Sequence, residues 1–170
     1  EGNFLRAFFD WKGDRLNEAT GGDWGVVVVR PINGGIPASL NEQDGVYTTL
    51  IRGMDDTGVP VSEPRRIACV RKEISAYGDW DEVLGLARDP NIVLVVSNTT
   101  EAGIAYDPAC TFDDVPPASF PAKVTCFLWE RWSALGKAEA PGLQFLPCEL
   151  IDHNADELRA CVLKHAVDWE

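Results

Sequence analysis

Four short stretches carry residue types suited to chemistry. The chain opens Glu1-Gly2-Asn3-Phe4-Leu5-Arg6. A glycine at the mouth of a helix lets a ligand approach the backbone, and the free N–H groups of the first turn attract a pyrophosphate. The same glycine also serves as an ordinary helix cap. A second stretch, Asn98-Thr99-Thr100-Glu101, follows directly on the apolar run 92–96. Polar residues there suit a strand end that faces a ligand, and they are equally good turn formers. Arg30 closes a third stretch, the apolar run 24–29. In a dinucleotide-binding domain the end of the second strand meets the adenosine ribose. Asp or Glu there accepts from the 2′-OH, whereas an arginine holds a 2′-phosphate. From residues alone Arg30 leans toward NADP or mixed use, and a solvated strand-end arginine is the plainer account. The fourth stretch holds Asn154, which with Glu157 three residues on reads as a capping box.

Other reactive residues point nowhere. Five cysteines are an odd number, and none is paired as C-x-x-C, so neither a disulfide framework nor a zinc site is expected. They read as reduced thiols buried as small hydrophobes, which fits a cytoplasmic protein. His153 with Cys148 or Asp152 falls short of the four ligands a structural zinc needs, so no metal is assigned. His165, between Lys164 and Ala166, reads as a surface residue of a helix.

The elements that must hold these residues alternate between short strands and amphipathic helices. Residues 3–17 read as a helix with Phe4, Leu5, Phe8, Trp11 and Leu16 near one face, stopped by Gly21-Gly22. The run 24–29 is a strand apolar on both faces, as a covered parallel sheet requires. Runs 46–52 and 66–71, separated by Asp55-Asp56-Thr57-Gly58, suggest a hairpin. Asp79 and Glu82 form a capping box that opens a helix bearing Trp80, Val83, Leu84 and Ala87. A second buried strand covers 92–96. Pro121 and Gly136 bracket a helix with Val124, Phe127, Leu128 and Leu135. A third strand covers 143–146, and a last helix carries Leu158, Cys161, Val162 and Trp169 inside. Buried strands joined by crossover helices predict an α/β, Rossmann-like, doubly wound and mainly parallel sheet with an inserted β-hairpin.

Composition bounds the partners. The 170 residues suit one domain, and 45% hydrophobic content is enough for a core. With 15 Lys+Arg against 27 Asp+Glu the net charge is -12. That acidity argues against nucleic acid and against an anionic membrane surface. The longest apolar runs are far too short to span a bilayer. The first residue is Glu1, without initiator Met or leader, so a longer parent protein is expected.

EGNFLRAF (1–8), QDGVYTT (43–49), SNTTEAG (97–103) and PCELIDHN (147–154) occur in that order. Together they resemble the mannitol dehydrogenase family of long-chain polyol dehydrogenases, in its hexuronate-reducing branch, over nearly the whole chain. The resemblance implies a two-domain enzyme. Residues 1–170 would be its NAD-binding Rossmann-like domain, and a helical C-terminal domain outside this chain would supply catalysis and dock with it. The implied reaction interconverts D-altronate and D-tagaturonate by hydride transfer in hexuronate catabolism, with a sugar acid as substrate. The family is metal-independent and takes its catalytic Lys, Asn and His from a K-x4-N-x2-H pattern. None of Lys12, Lys72, Lys123, Lys137 and Lys164 has that spacing, so this chain holds no catalytic residue and is expected to be inactive alone.

By the same resemblance, Gly2, Asn3, Phe4 and Arg6 match the dinucleotide loop, and Thr99, Thr100 and Glu101 match the segment near the nicotinamide. The family's loop begins one glycine earlier, after a first strand, so that strand is expected to be missing from this chain. Asn154 matches an asparagine of the family's C-D-N-L-x-x-N-G segment at the substrate cleft. The earlier asparagine of that segment falls on Leu150 and is not carried over. The branch uses NAD, which assigns Arg30 to stacking on the adenine rather than to pairing with a phosphate. SNTTEAG and PCELID favour the uronate branch over a mannitol or mannitol-1-phosphate dehydrogenase. The alternatives are a mannitol, fructuronate or other polyol dehydrogenase of the same family, or a Rossmann module that binds a nucleotide without catalysis.

Overall fold

The computed structural model describes residues 2–34, 39–136 and 142–170. It divides into two compact units, Glu1–Arg30 with Gly34–Ile74, and Pro31–Asn33 with Ser75–Glu170.

The first unit begins with helix α1. Its first stretch, Leu5–Asp10, is π-wound, and it continues as a regular α-helix over Trp11–Thr20. Strand β1 (Val26–Arg30), the short helix α2 (Ser39–Glu42) and strands β2 (Tyr47–Met54), β3 (Pro60–Ile67) and β4 (Val70–Ser75) follow. The hairpin expected around Asp55–Gly58 is present. β2 and β3 pair antiparallel from Tyr47↔Ile67 to Met54↔Pro60. The Asp55 carboxylate accepts from the Thr57 and Val59 amides at 2.9 Å, which is the turn chemistry of an Asx residue. The strand read over 66–71 is in fact divided. Ile67 ends β3 and Val70 starts β4, which pairs with β1. Leu40, Val28 and Val70 form the core here, with Val26 and Tyr47 packed on them.

The face expected of α1 is corrected. Phe4, Phe8 and Leu16 are 42%, 49% and 46% exposed, and the buried residue is Asp10. A π-turn carries more residues than the 3.6 of an α-helix, so a face drawn at 3.6 spacing is fanned apart over Leu5–Asp10. The polar side of α1 is held instead. Arg65 donates to Asp14 at 2.7 Å and to Glu18 at 3.1 Å, and the Ala68 amide donates to Asp14 at 3.1 Å.

The second unit contains α3 (Trp80–Arg88), β5 (Leu94–Ser97), α4 (Phe120–Leu135), β6 (Gln144–Pro147) and α5 (Asn154–Asp168). β5 and β6 pair in parallel from Leu94↔Gln144 to Ser97↔Pro147, with α4 in the connection between them. That is a βαβ crossover, the repeating unit of the expected sheet. The cap read from sequence at Asp79 holds the start of α3, its carboxylate accepting from the Glu82 amide at 2.9 Å. At α4 the structure adds a cap to the expected Pro121: the Ser119 hydroxyl accepts from the Ala122 amide at 3.2 Å. Buried Arg131 of α4 donates to the carbonyls of Ala87 (3.3 Å) and Asp89 (3.1 Å), so a cation closes the C-terminal end of α3.

His165 is the second correction. It is fully buried on α5, its ring 4.6 Å from Tyr106 and 4.9 Å from Trp169. Its two sequence neighbours face outward, which is why a polar context in sequence disguised a core position. The thiols of Cys69, Cys110 and Cys126 are buried, while Cys148 and Cys161 are half-buried. Among the described residues no helix is long and apolar enough to cross a membrane.

Candidate cofactor site

In the first unit the structure gathers the start of α1 and the end of β1 around one carboxylate. Gly2 precedes the helix, and its carbonyl accepts from the Arg6 amide at 3.0 Å. A Cβ built on Gly2 meets nothing within 4 Å, so the backbone there is open to an approaching group. Asn3 and Phe4 are exposed, and the Phe4 ring stacks on Phe8 at 5.1 Å. Arg6 turns inward. Its Nη2 lies 4.0 Å from Glu73 Oε1, and Arg30 brings its Nε to 3.3 Å from the same oxygen. Glu73 is 3% exposed. Its other oxygen accepts from the Leu40 amide at 3.1 Å, and Asn41 clamps its backbone with two bonds of 2.8 Å.

Below this lies a second polar pair. The Tyr47 hydroxyl donates to the buried Asp10 carboxylate at 2.7 Å, with the Arg6 carbonyl oxygen at 3.0 Å. Burial raises the Asp10 pKa above the usual carboxylate value, against the Tyr47 bond and the Arg6 charge, which lower it. Burial first, and then the Asp10 bond, raise the Tyr47 pKa, so the phenol stays protonated and remains a donor. QDGVYTT thus contributes a strut under Arg6.

In the second unit the structure gathers the end of β5 and the loop after β6. The Thr99 amide and hydroxyl donate to Glu149 Oε1, at 2.9 and 3.3 Å. Asn98 donates to the Cys148 carbonyl at 2.6 Å. Thr100 is exposed, and its carbonyl accepts from the Gly103 amide at 2.7 Å, closing a 3₁₀ turn over Glu101–Gly103. A Cβ on Gly103 would collide with the Thr99 side chain, so this turn needs a glycine. The Glu101 side chain lies outside the described residues.

Asn154 does not cap α5. His153 is the N-cap, in a left-handed conformation with φ 55°, and its backbone carbonyl accepts from the Asp156 and Glu157 amides. The Asn154 amide is thereby free to reach back, donating to the carbonyls of Pro147 and Glu149 at 3.0 Å each. The capping-box account fails because the Asn154 side chain is taken up by the carbonyls of Pro147 and Glu149, in a half-buried loop, and the Asp156 and Glu157 amides are taken by the His153 carbonyl. Thr99 and Asn154 therefore meet on one loop. Ile104, Leu150, Ile151, Asp152 and Glu157 line a shallow hollow open to solvent, with Leu150 88% exposed. Two carboxylates in that lining make it a poor place for a sugar acid.

Two buried carboxylates escaped the sequence reading, Glu73 and Glu149. Glu73 precedes Ile74 within a strand, and Glu149 lies between Cys148 and Leu150 in a strand-end loop. That conflict with burial was their only signal.

The strands, the crossover and the strand-end loops define a Rossmann-type α/β domain. The chain matches the mannitol dehydrogenase Rossmann domain over residues 1–170, and it belongs to that family. It is 54% identical over its whole length to the altronate oxidoreductase of Klebsiella pneumoniae and 53% identical to that of Pectobacterium atrosepticum. It spans 35% of the length of each of these curated relatives. In fold it is similar to the mannitol 2-dehydrogenase of Pseudomonas fluorescens, solved as a ternary complex with NAD and D-mannitol. The TM-score is 0.77 at 20% identity, covering 98% of this chain and 36% of that one. A D-sorbitol dehydrogenase in substrate-free form gives a TM-score of 0.75 at 24% identity, with 98% and 36% covered.

Proposed function

We propose that this chain is the cofactor-binding part of an NAD-dependent oxidoreductase that interconverts D-altronate and D-tagaturonate in hexuronate catabolism. The observation that carries the reading is identity above 50%, sustained across all 170 residues, to altronate oxidoreductases. The residues fit the cofactor. Gly2 leaves open backbone before a helix, and Arg6 supplies a cation in the first turn for a pyrophosphate. Arg30 at the end of β1 would meet the adenosine. Thr99, Thr100 and Glu101 would meet the nicotinamide half, with Asn154 holding the loop that borders the substrate.

The bound nicotinamide supplies the hydride chemistry. This chain's own residues bind and orient it, and the gain is one of proximity. Its lysines lack the Lys–Asn–His spacing of the family, so the proton-transferring group is assigned to a helical C-terminal domain that docks with this one. Five free cysteines suit a reducing compartment, and the cytoplasm is the proposed location.

The test is an assay of the full-length protein with tagaturonate, fructuronate and fructose, each with NADH. Tagaturonate should give the highest kcat/KM. Preference for fructose would move the protein to the polyol branch, and failure to bind NADH would refute the cofactor assignment. Residues 1–170 alone should bind cofactor weakly and turn over nothing, because general acid–base help worth ~10²–10⁴-fold is absent. Thr100→Ala in the full-length protein should weaken NADH binding without a change in melting temperature.

A further inference from the structure

Arg30 poses a problem of cofactor choice. An arginine at the end of the second Rossmann strand is the residue that holds a 2′-phosphate, and an acidic residue there is the one that selects NAD. The structure supplies the missing acid from another strand. Glu73 on β4 brings Oε1 to 3.3 Å from Arg30 Nε and to 4.0 Å from Arg6 Nη2. The carboxylate has little freedom to follow a ligand. It is 3% exposed, its Oε2 is held by the Leu40 amide, and its backbone is clamped on both sides by Asn41. The Arg30 side chain is itself only 15% exposed.

We propose that Glu73 is a specificity-determining residue that holds and neutralises Arg30, keeping the end of β1 from recognising a 2′-phosphate and so maintaining selectivity for NAD(H). The inference rests on the cofactor reading above. Its physical basis is that a charge-assisted bond to a phosphate requires a guanidinium able to turn toward it. A buried carboxylate on that guanidinium opposes both the turn and the net positive charge. Arg6 shares the same carboxylate, but the pyrophosphate it would meet is common to NADH and NADPH. A change at Arg6 therefore alters both affinities together, and the ratio of the two isolates Arg30.

The experiment is a fluorescence titration of the full-length protein with NADH and with NADPH, at low and at high salt. Glu73→Gln keeps the shape and an acceptor for the Leu40 amide but removes the charge. It should raise NADPH affinity relative to NADH by about tenfold, the scale of one charge-assisted bond. The gain should shrink at high salt, because the released charge is screened. Adding Arg30→Ala to Glu73→Gln should abolish the gain. If Glu73→Gln does not fold, Glu73→Asp, which withdraws the carboxylate by one methylene, should shift the ratio in the same direction to a smaller extent. An unchanged ratio in either folded variant overturns the proposal, as does a wild-type protein that prefers NADPH. A wild-type protein that binds neither dinucleotide overturns instead the cofactor reading on which the proposal stands.

Discussion

Glu73 in the first unit and Glu149 in the second are almost equally buried, at 3% and 4% exposure, yet their carboxylates are treated in opposite ways. Both oxygens of Glu73 are engaged, Oε2 by a hydrogen bond from the Leu40 amide and Oε1 by ion pairs with the Arg30 and Arg6 guanidinium groups, in which Arg30 Nε falls outside hydrogen-bond geometry. Glu149 uses Oε1 for Thr99, whereas its Oε2 is buried without a hydrogen-bond partner, and no ion pair among the described residues reaches it. Burial alone therefore does not say what a carboxylate is for. Glu73 is needed as a charge because two cations converge on it. Glu149 is needed as an acceptor for a strand-end amide and hydroxyl. Removing the charge from each while sparing the rest of the fold should separate the two.

The largest effect is expected at Glu73. Glu73→Leu fills the same space but leaves Arg30 and Arg6 without their carboxylate. Breaking a buried pair from one side costs about 3–5 kcal/mol. Urea unfolding of the full-length protein should show that loss. A double variant, Glu73→Leu with Arg30→Leu, should recover much of it. A single variant within 1 kcal/mol of wild type, on the order of a neutral hydrogen bond, would show that the pair is not compensating charge at all, and the contrast with Glu149 would collapse.

His165 extends the contrast, since it is another buried titratable group of the second unit and both ring nitrogens lack a hydrogen-bond partner. Burial lowers its pKa below the ordinary value. Asp168 and Asp107 oppose that shift, Lys164 assists it, and Tyr106 and Trp169 enclose the ring. A depressed folded pKa means that the unfolded chain binds the proton first. Stability is therefore full above about pH 6.5 and falls as pH drops below it, with a limiting slope of about 1.4 kcal/mol per pH unit. His165→Phe keeps the stack and removes the proton site, so the gap between the variant and wild type should widen in the variant's favour on acidification. Parallel stability curves between pH 7 and 5 would show that His165 is not the group that charges.

How much of this was legible follows from where each residue's partners lie. The hairpin, α3 and α4 could be read because their signals are local: an Asx turn at Asp55, a cap at Asp79, and Pro121 with Gly136 around one helix. β5 could be read because it is a short apolar run ahead of the polar Asn98-Thr99-Thr100-Glu101, and β6 because it is a short run holding Phe145 and Leu146. The apolar face of α1 was misread because winding, not composition, decides which residues share a face. Arg30 was correctly placed at a strand end, but its chemistry depends on Glu73, which reaches it only through the pairing of β1 with β4. Asn154 looked like a cap because Glu157 completes that motif locally, while the carbonyls it serves lie back at the end of β6. The motifs mark local segments of the chain. The partners that set their charge and orientation are tertiary.

A smaller effect is expected at Asn154. Its two bonds to the Pro147 and Glu149 carbonyls tie the start of α5 to the loop that carries Glu149. Asn154→Ala leaves two carbonyls to find water at a half-buried position, a loss of roughly 1–2 kcal/mol. Amide hydrogen exchange should show it locally, with protection falling at Thr99, whose amide depends on Glu149 staying in place. Asn154→Asp should do no better than alanine, since a carboxylate cannot donate to a carbonyl. If Asn154→Asp behaves as wild type, the asparagine is acting as a cap after all, because aspartate caps as well as asparagine does.

The smallest effect on stability is expected at Glu149, and its sign carries the comparison. Glu149→Gln keeps an oxygen to accept from the Thr99 amide and hydroxyl. It replaces the unpartnered Oε2 with an amide group and removes a buried negative charge that no cation among the described residues offsets. The lost charge-assisted strength of the Thr99 bonds opposes the relief from desolvation, and each is of order 1–2 kcal/mol. The net change should therefore lie within about 1 kcal/mol of zero, against the several kcal/mol expected for Glu73→Leu. Glu149→Leu is the control. It removes the acceptor as well as the charge, strands the Thr99 amide at the end of β5, and should cost about 1–3 kcal/mol more than the glutamine variant. If Glu149→Gln and Glu149→Leu are equally damaging, the charge itself is required, and the second unit compensates its buried carboxylate as the first one does. If the glutamine variant is neutral and the leucine variant is not, Glu149 serves as an acceptor that shapes the strand-end loop, and only Glu73 is retained for its charge.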